Sequence, residues 1–284
     1  MSFIKLKPLG CPNCNSDLIL KIRNIKVTKK KIKTELCHCK NCDFLFLNNI
    51  NWLDIAYEEN FFGDTGYVAR NVNIAGKLII LLRIFSIFSR FKVIPSGMDL
   101  GTGIGMLPRM LRDSGYDFYG NDAYSNMELI KPFSNPQGRT FLKTAFEVVE
   151  HVPSLPIFLK DNIFKKDTFI FSTLIRPNEA IPDKSWWYYA FENGQHVSFH
   201  SKKSLSQAFK MAGYNPKNLI SFGSNIHLFS EDKIWKISFK FAKIFWILGN
   251  FHKFIHKKLT YLFFREDSLT YIDHVYSIKN QKNI

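Results

Sequence analysis

The stretch Met98-Asp-Leu-Gly-Thr-Gly-Ile-Gly-Met106 constrains the fold more than any other part of the chain. Three glycines alternate at 101, 103 and 105, between an apolar approach segment and a run that reads as helix. Glycine lets a backbone turn tightly from strand into helix and come close to a ligand. The stretch therefore predicts an α/β sheet with a ligand-cradling turn at the end of its first strand.

The spacing departs from Gly-x-Gly-x-x-Gly, because one residue separates the second and third glycines, and Asp99 stands two positions before the first. A dinucleotide site sets its pyrophosphate on the helix N-terminus with no carboxylate alongside. An acid there suits a ligand with an amino group or a positive charge. That chemistry favours S-adenosylmethionine. Tyr116-Asp-Phe-Tyr-Gly-Asn-Asp122 then reads as a second short strand ending in an acid. It lies about twenty residues past the glycines, where a carboxylate can accept both ribose hydroxyls. Asp99, Gly101, Gly103, Gly105 and Asp122 are the candidate cofactor residues.

At these residues the chain resembles the class I S-adenosylmethionine-dependent methyltransferases. Asp99-x-Gly-x-Gly-x-Gly105 is similar to their first motif and Gly120-Asn-Asp122 to their second. Glu147-Val-Val-Glu-His-Val-Pro153 resembles the segment after the fourth strand in the ubiquinone-biosynthesis O-methyltransferase branch. A zinc-knuckle-bearing subgroup, linked with surface polysaccharide synthesis, extends the resemblance along nearly the whole chain. The resemblance implies a Rossmann-like seven-stranded α/β sheet with an N-terminal zinc-ribbon module and a C-terminal helical extension. It also implies an enzyme that O-methylates a sugar or sugar-containing precursor, with a saccharide, sugar-nucleotide or lipid-linked saccharide as acceptor. Tyr67 and Arg70 stand where such proteins place a helix over the methionine end of the cofactor. Arg70 is thereby a candidate for its carboxylate, with a solvated arginine as the alternative.

The chemistry is expected around Glu147, Glu150 and His151. On a helical first turn, i, i+3 and i+4 share a face, and two carboxylates with an imidazole suit a divalent cation such as Mg²⁺. Some methyltransferases with this pattern complete the site with a later histidine, and Gly194-Gln-His196-Val-Ser-Phe-His200 offers two. Without metal, His151 or His196 serves as general base. The alternatives are helix capping by Glu147 and Glu150 and a buried, satisfied His151. Between these segments, a proline-broken loop leads into Trp186-Trp-Tyr-Tyr189, read either as an aromatic lid for a sugar ring or as core.

All five cysteines lie in the first 42 residues. Cys11-Pro-Asn-Cys14 and Cys39-Lys-Asn-Cys42 have knuckle spacing, and two short β-like stretches separate them, so four thiolates can surround zinc. A disulfide pair and a knuckle that binds no metal are the competing readings. Cys37 and His38 read as bystanders.

These signals divide the chain into a zinc ribbon (1–50), a helical connector (51–95), the cofactor-binding domain (96–230) and a basic amphipathic extension (231–284). Within the domain, strands are expected at 118–121, 141–146 and 168–173, with a closing hairpin around Gly223-Ser224; Ala123–Thr140 is short for a helix, a third strand and a return. In the connector, Ile74, Leu78, Leu81, Leu82 and Phe85 form a helix-period stripe across 68–91.

A hydrophobic share of 46% excludes a disordered chain, and the net charge of +15 points to an anionic partner. No apolar run reaches the ~18 residues of a spanning helix and no signal-peptide region is evident, so a cytoplasmic location is expected. In the tail, Lys233, Lys236, Lys240, Lys243, Lys253, Lys257 and Lys258 alternate with Trp235, Phe239, Phe245, Trp246, Phe251, Phe254 and Phe263. That pattern fits either an interfacial helix on the inner face of a membrane or a cap on the core. Two rival functions remain: an RNA methyltransferase, given the zinc module and basic charge, and a non-catalytic zinc-ribbon binding protein with a vestigial cofactor fold.

Overall fold

The computed structural model of the chain describes residues 10–60, 66–90, 94–134, 136, 138–177 and 180–255. The middle of the connector at 61–65, Asn178 and Glu179 in the aromatic loop, and Lys257, Lys258 and Phe263 in the tail lie outside the described residues. The chain divides into two compact units, Met1–Phe239 and Lys240–Ile284.

The central sheet of the first unit has the order β5-β4-β6-β7-β10-β9. Its members are β4 (Gly97–Leu100), β5 (Phe118–Asn121), β6 (Leu142–Ala145), β7 (Thr168–Ser172), β9 (Leu219–Phe222) and β10 (Ile226–Phe229). β4, β5, β6 and β7 pair in parallel, and β10 runs antiparallel to both β7 and β9. The hairpin turn at Gly223-Ser224 thus forms as expected. The seventh strand does not: among the described residues the segment after Asp122 holds only a 3-10 turn, Lys131–Phe133. Too few residues separate Asp122 from β6 for a helix, a strand and a return.

Parallel strands bury both faces, which explains the fully buried run Thr168–Ser172. Lys143 sits inside β6, donates to Thr140 Oγ1, and burial lowers its pKa. The main core gathers Leu100, Ala145, Phe169, Phe171 and Phe229 from the sheet with Phe158 and Leu159 of α4 (Leu155–Asn162) and Leu205, Ala208 and Phe209 of α5 (Lys202–Met211). Leu205, Ala208 and Phe209 follow the i, i+3, i+4 spacing of one helical stripe, and Ser201 with Ser204 closes a capping box at the start of α5.

The cysteine-rich segment folds as β1 (Ile19–Val27), β2 (Ile32–Cys39) and β3 (Leu45–Leu47), and a fourth strand joins them from far along the chain. β8 (Ser198–Phe199) pairs antiparallel with Leu45 and Phe46. A second core seals this junction, with Val27, Leu36, Leu45 and Leu47 packed against Tyr188, Tyr189, Val197 and Phe199. Buried Arg176 reinforces it by pairing with Asp43, the residue after Cys42. Asn13 Nδ2 donates to the Ser204 carbonyl at the head of α5, 2.8 Å away.

The connector forms α1 (Leu53–Asn60) and α2 (Tyr67–Phe88). Leu78, Leu81, Leu82 and Phe85 are buried as the stripe predicts, whereas Ile74 is half-buried and Ala75 takes a place inside. By length and composition α2 is apolar enough to cross a membrane, with a mean hydropathy of 1.6 over its best window. That corrects the expectation that no segment reaches this length: Lys77 and Arg83 interrupt the run without lowering its average enough. One third of that window is buried inside the protein. Phe85 stacks on Trp235 at the start of α6 (Lys233–Ile255), with ring centroids 3.9 Å apart. The remaining helix, α3 (Met106–Asp113), follows the glycine turn and buries Leu107 and Leu111.

Candidate active site

The glycine turn joins β4 to α3, and its three glycines all have positive φ: 71°, 61° and 91° at 101, 103 and 105. A side chain at Gly103 would also meet Tyr67 Oη at 2.9 Å, and one at Gly105 would run into Ile130. These glycines therefore serve both the backbone conformation and the close passage of neighbours. Asp122 follows β5 and ties the turn down: Oδ2 accepts from Gly103 N at 2.7 Å, and Oδ1 accepts from Tyr124 N and Ser125 N. Its carboxylate thus organises the loop in addition to facing the cleft. Asp99 is buried beside it, accepting from Thr144 Oγ1 at 2.6 Å. Burial, offset in part by that hydrogen bond, pushes the Asp99 carboxyl up to about 7.

A cleft of about 1990 Å³ opens along the C-terminal ends of the parallel strands. Asp99, Gly101, Gly103 and Asp122 line one end, Tyr67 and Arg70 of α2 face it, and His151 and His196 line it further along. Arg70 lies with its guanidinium carbon 6.0 Å from the centre of the Tyr67 ring. The cleft continues toward the cysteine-bearing sheet past Asn49 and Asn51.

The Glu-x-x-Glu-His segment does not form the expected helical turn. Glu147 adopts φ +57°, and Val149–His151 then make a 3-10 turn. Glu147 is consequently turned toward β7, where it accepts from Ser172 Oγ at 2.9 Å while its own N–H donates back to that oxygen at 2.8 Å. It stands apart from the other three. The helix α4 starts only at Leu155, so neither glutamate caps it in its first turn.

Glu150, His151 and His196 do converge, with ligand atoms within 4.8 Å of one another. Glu150 is fully buried behind the cleft wall; Tyr188 Oη donates to its Oε1 at 2.7 Å, and its Oε2 has no hydrogen-bond partner among the described residues. Burial, helped by the Glu147 charge, raises its pKa to about 8. His151 Nδ1 shares a hydrogen bond with Tyr57 Oη at 2.8 Å, and Tyr57 in turn stacks on Tyr124. His196 Nδ1 donates to the Tyr188 carbonyl at 2.6 Å, which leaves Nε2 as the acceptor nitrogen. Burial lowers the pKa of both imidazoles, His151 the more strongly, so both are neutral near pH 7. A buried carboxyl group with ligand atoms within 4.8 Å of two neutral imidazoles fits a divalent cation, whose charge would favour the ionised carboxylate, and the same set fits proton transfer.

Tyr57 and Tyr124 carry no signal in the sequence, since isolated tyrosines in helices and loops have no diagnostic spacing; Tyr188, read there only as part of the aromatic loop, instead holds Glu150. Of the four loop aromatics, only Trp187 is exposed, at 74%, and lines the cleft; Tyr188 and Tyr189 are core. His200 is buried away from the cluster against Phe44.

The thiols of Cys11, Cys14, Cys39 and Cys42 come together, with Sγ···Sγ distances of 3.7 Å for Cys11–Cys42 and 3.6 Å for Cys14–Cys39. Zn–S bonds of about 2.3 Å place thiolates roughly 3.8 Å apart around a tetrahedron, so the set fits zinc. Asn13 and Asn41 direct their amides at Cys42 and Cys14. Cys37 stands outside the group, its pKa pushed up by burial to about 11. His38 instead bonds Asp43 at 2.7 Å.

The family model described as a methyltransferase domain matches residues 77–219, half of the chain. No curated protein matches the sequence. Similar solved structures include an S-adenosylmethionine-dependent methyltransferase from Thermotoga maritima, 13% identical at TM-score 0.40 over 64% of this chain and 99% of that one. Human N-acetylserotonin methyltransferase, solved with S-adenosylmethionine, is 14% identical at TM-score 0.37 over 64% of this chain and 54% of its own. Magnesium protoporphyrin IX methyltransferase from Synechocystis, with bound S-adenosylhomocysteine, is 12% identical at TM-score 0.36 over 63% and 94%. With a family match across its glycine turn and all four parallel strands, the chain belongs to the methyltransferase-domain family and is an S-adenosylmethionine-dependent methyltransferase.

Proposed function

We propose that the protein methylates a hydroxyl of a sugar or sugar-containing precursor, and that its ribbon carries one structural zinc held by Cys11, Cys14, Cys39 and Cys42. The observation that carries the oxygen-directed reading is the pair of neutral imidazoles, ring centroids 5.0 Å apart, on the same cleft as the glycine turn. A hydroxyl is a poor nucleophile near neutral pH until a base or a metal takes its proton.

S-adenosylmethionine supplies an electrophilic methyl group when bound. In this reading Asp99 would meet its ammonium, the turn from Gly101 to Gly105 would pass close to it, and Asp122 would add ribose contacts to its loop bonds. Arg70, which lines the same cleft from α2, would take the carboxylate. His196 holds its Nδ1 proton on the Tyr188 carbonyl, so its Nε2 is free to accept the acceptor proton. His151 is oriented by Tyr57 and serves as the second acceptor of that proton. A divalent cation such as Mg²⁺, where present, would be held by Glu150, His151 and His196 and would lower the pKa of a bound hydroxyl.

Trp187, exposed at the cleft, offers a flat face for a sugar ring, and Asn49 and Asn51 offer amides to its hydroxyls. These features support a free saccharide, a sugar nucleotide or a lipid-linked saccharide over an extended nucleic acid.

The test is incubation with methyl-labelled S-adenosylmethionine and separate pools of monosaccharides, nucleotide sugars, lipid-linked saccharides and total RNA. Label in a saccharide pool is expected; label in RNA alone overturns the acceptor reading, and no S-adenosylmethionine binding overturns the cofactor assignment.

A further inference from the structure

Helix α6 carries apolar side chains on two faces. Trp235, Phe239, Ala242 and Trp246 fall at i, i+4, i+7 and i+11 and are buried. Ile237, Phe241, Ile244, Phe245 and Leu248 repeat the same period on a second face, and each is between 43% and 56% exposed. Lys233, Lys236, Lys240 and Lys243 form a stripe between the two faces. Neither α6 nor α2 contains an aspartate or glutamate. At the end of α2, joined to α6 through the Phe85–Trp235 stack, Ile87 and Phe88 are exposed at 60% and 40% beside exposed Arg83 and Arg90.

We propose that the exposed face of α6 docks on an anionic phospholipid surface, with Phe241, Ile244, Phe245 and Leu248 at the acyl boundary and the lysine stripe at the headgroups. An apolar stripe edged by lysines, with no carboxylate on the helix, is the arrangement of a helix lying in the membrane interface. Lysine stems extend along apolar surface and lift their ammonium groups toward phosphate. Protein–protein interfaces are depleted in lysine, and pairing two copies across a two-fold axis would bring like-charged stripes toward each other. Nucleic acid would engage the lysines but leave the aromatic and aliphatic side chains in water.

The experiment is co-sedimentation of the full-length protein with vesicles of phosphatidylglycerol mixed with phosphatidylcholine, or of phosphatidylcholine alone. Partition is expected to be roughly tenfold stronger on the anionic vesicles and to weaken in about 0.5 M salt. Ile244→Ser combined with Phe245→Ser should abolish binding to both. Lys240→Glu combined with Lys243→Glu should abolish only the preference for anionic lipid. Circular dichroism and S-adenosylhomocysteine binding like the parent's show that the variants are folded. The lysine variant changes exposed or half-buried surface positions, so it reports even if the apolar variant misfolds. Equal partition on the two vesicle types, or variants that bind like the parent, overturn the proposal. So does a dimer in sedimentation equilibrium that the apolar variant dissolves, which gives the face to a second copy. Tight binding to duplex RNA without vesicle binding overturns it as well.

Discussion

Val197 N–H donates to the Glu150 carbonyl at 2.8 Å, while the Val197 carbonyl accepts from Leu47 N at 2.9 Å. One residue thus ties the cysteine-bearing sheet to the 3-10 turn that carries Glu150 and His151. It is also next to His196 in the chain. The zinc-type ribbon is therefore a wall of the candidate active site, and the cluster's geometry depends on the ribbon holding β8 in place.

Gly103→Val should reduce affinity for S-adenosylhomocysteine at least tenfold, because valine resists φ +61° and its Cβ meets Tyr67 Oη. Asp122→Ala should also weaken binding, and in addition it leaves the N–H groups of Gly103, Tyr124 and Ser125 without their acceptor. A stability loss of about 1–3 kcal/mol is expected from that variant. Calorimetry and thermal melts together check both. Parental affinity in Gly103→Val would remove the turn from the cofactor site.

The Asp99 carboxyl titrates at about 7 in the folded protein, above its ordinary value, chiefly because it is buried. The folded chain thus holds this proton more tightly than the unfolded chain does. Its contribution to stability is complete below the ordinary carboxylate range and is lost as pH rises toward 7. Ligand binding should run the other way: an ammonium group favours the charged carboxylate, so affinity should climb up to about tenfold per pH unit below 7 and level off above it. Calorimetric titrations from pH 5.5 to 8 would read this; Asp99→Asn should flatten the profile, and an unchanged slope in that variant removes Asp99 from the ligand.

Much of this arrangement is legible in the sequence because its physics is local. The glycines at 101, 103 and 105 sit where positive φ is needed, and the knuckle spacing brings four thiols together. What stays hidden is non-local or runs against residue preference. β8 is two residues long and pairs with a partner about 150 positions away, so no periodicity marks it. Glu147 carries no sign that it adopts φ +57°, and that conformation alone removes it from the helical face on which Glu150 and His151 were expected to join it. That no seventh strand forms among the described residues is partly foreshadowed by the short span between Asp122 and β6.

His151→Ala and Glu150→Gln separate the chemistry from binding. With a saccharide acceptor in hand, His151→Ala should lower kcat by about 10²–10⁴-fold and leave S-adenosylhomocysteine affinity within a few-fold of the parent. Glu150→Gln keeps the shape and the Tyr188 contact but removes the carboxylate. It should therefore abolish any Mg²⁺ stimulation while sparing metal-independent turnover. Near-parental kcat in both variants would return these residues to a packing role. Chelator-resistant activity that is lost in His151→Ala would keep the base and remove the metal.

The ribbon should bind one zinc per chain through Cys11, Cys14, Cys39 and Cys42, and Cys37→Ser should retain it, because Cys37 lies outside the four-thiol group. Elemental analysis reads this directly; a parent protein without zinc, or zinc lost only with Cys37, rejects the assignment. Cys11→Ser combined with Cys14→Ser should then lower turnover far more than cofactor affinity. The reason lies in the path of the chain: β3 follows Cys42 by three residues, pairs with β8, and through Val197 fixes the turn bearing Glu150 and His151. The glycine turn and Asp122 follow β4 and β5 at one edge of the central sheet, and among the described residues they share no strand with the ribbon. Parallel losses of cofactor affinity and turnover would mean that the ribbon supports the whole fold. Unchanged turnover after zinc loss would show that β8 holds its place without it.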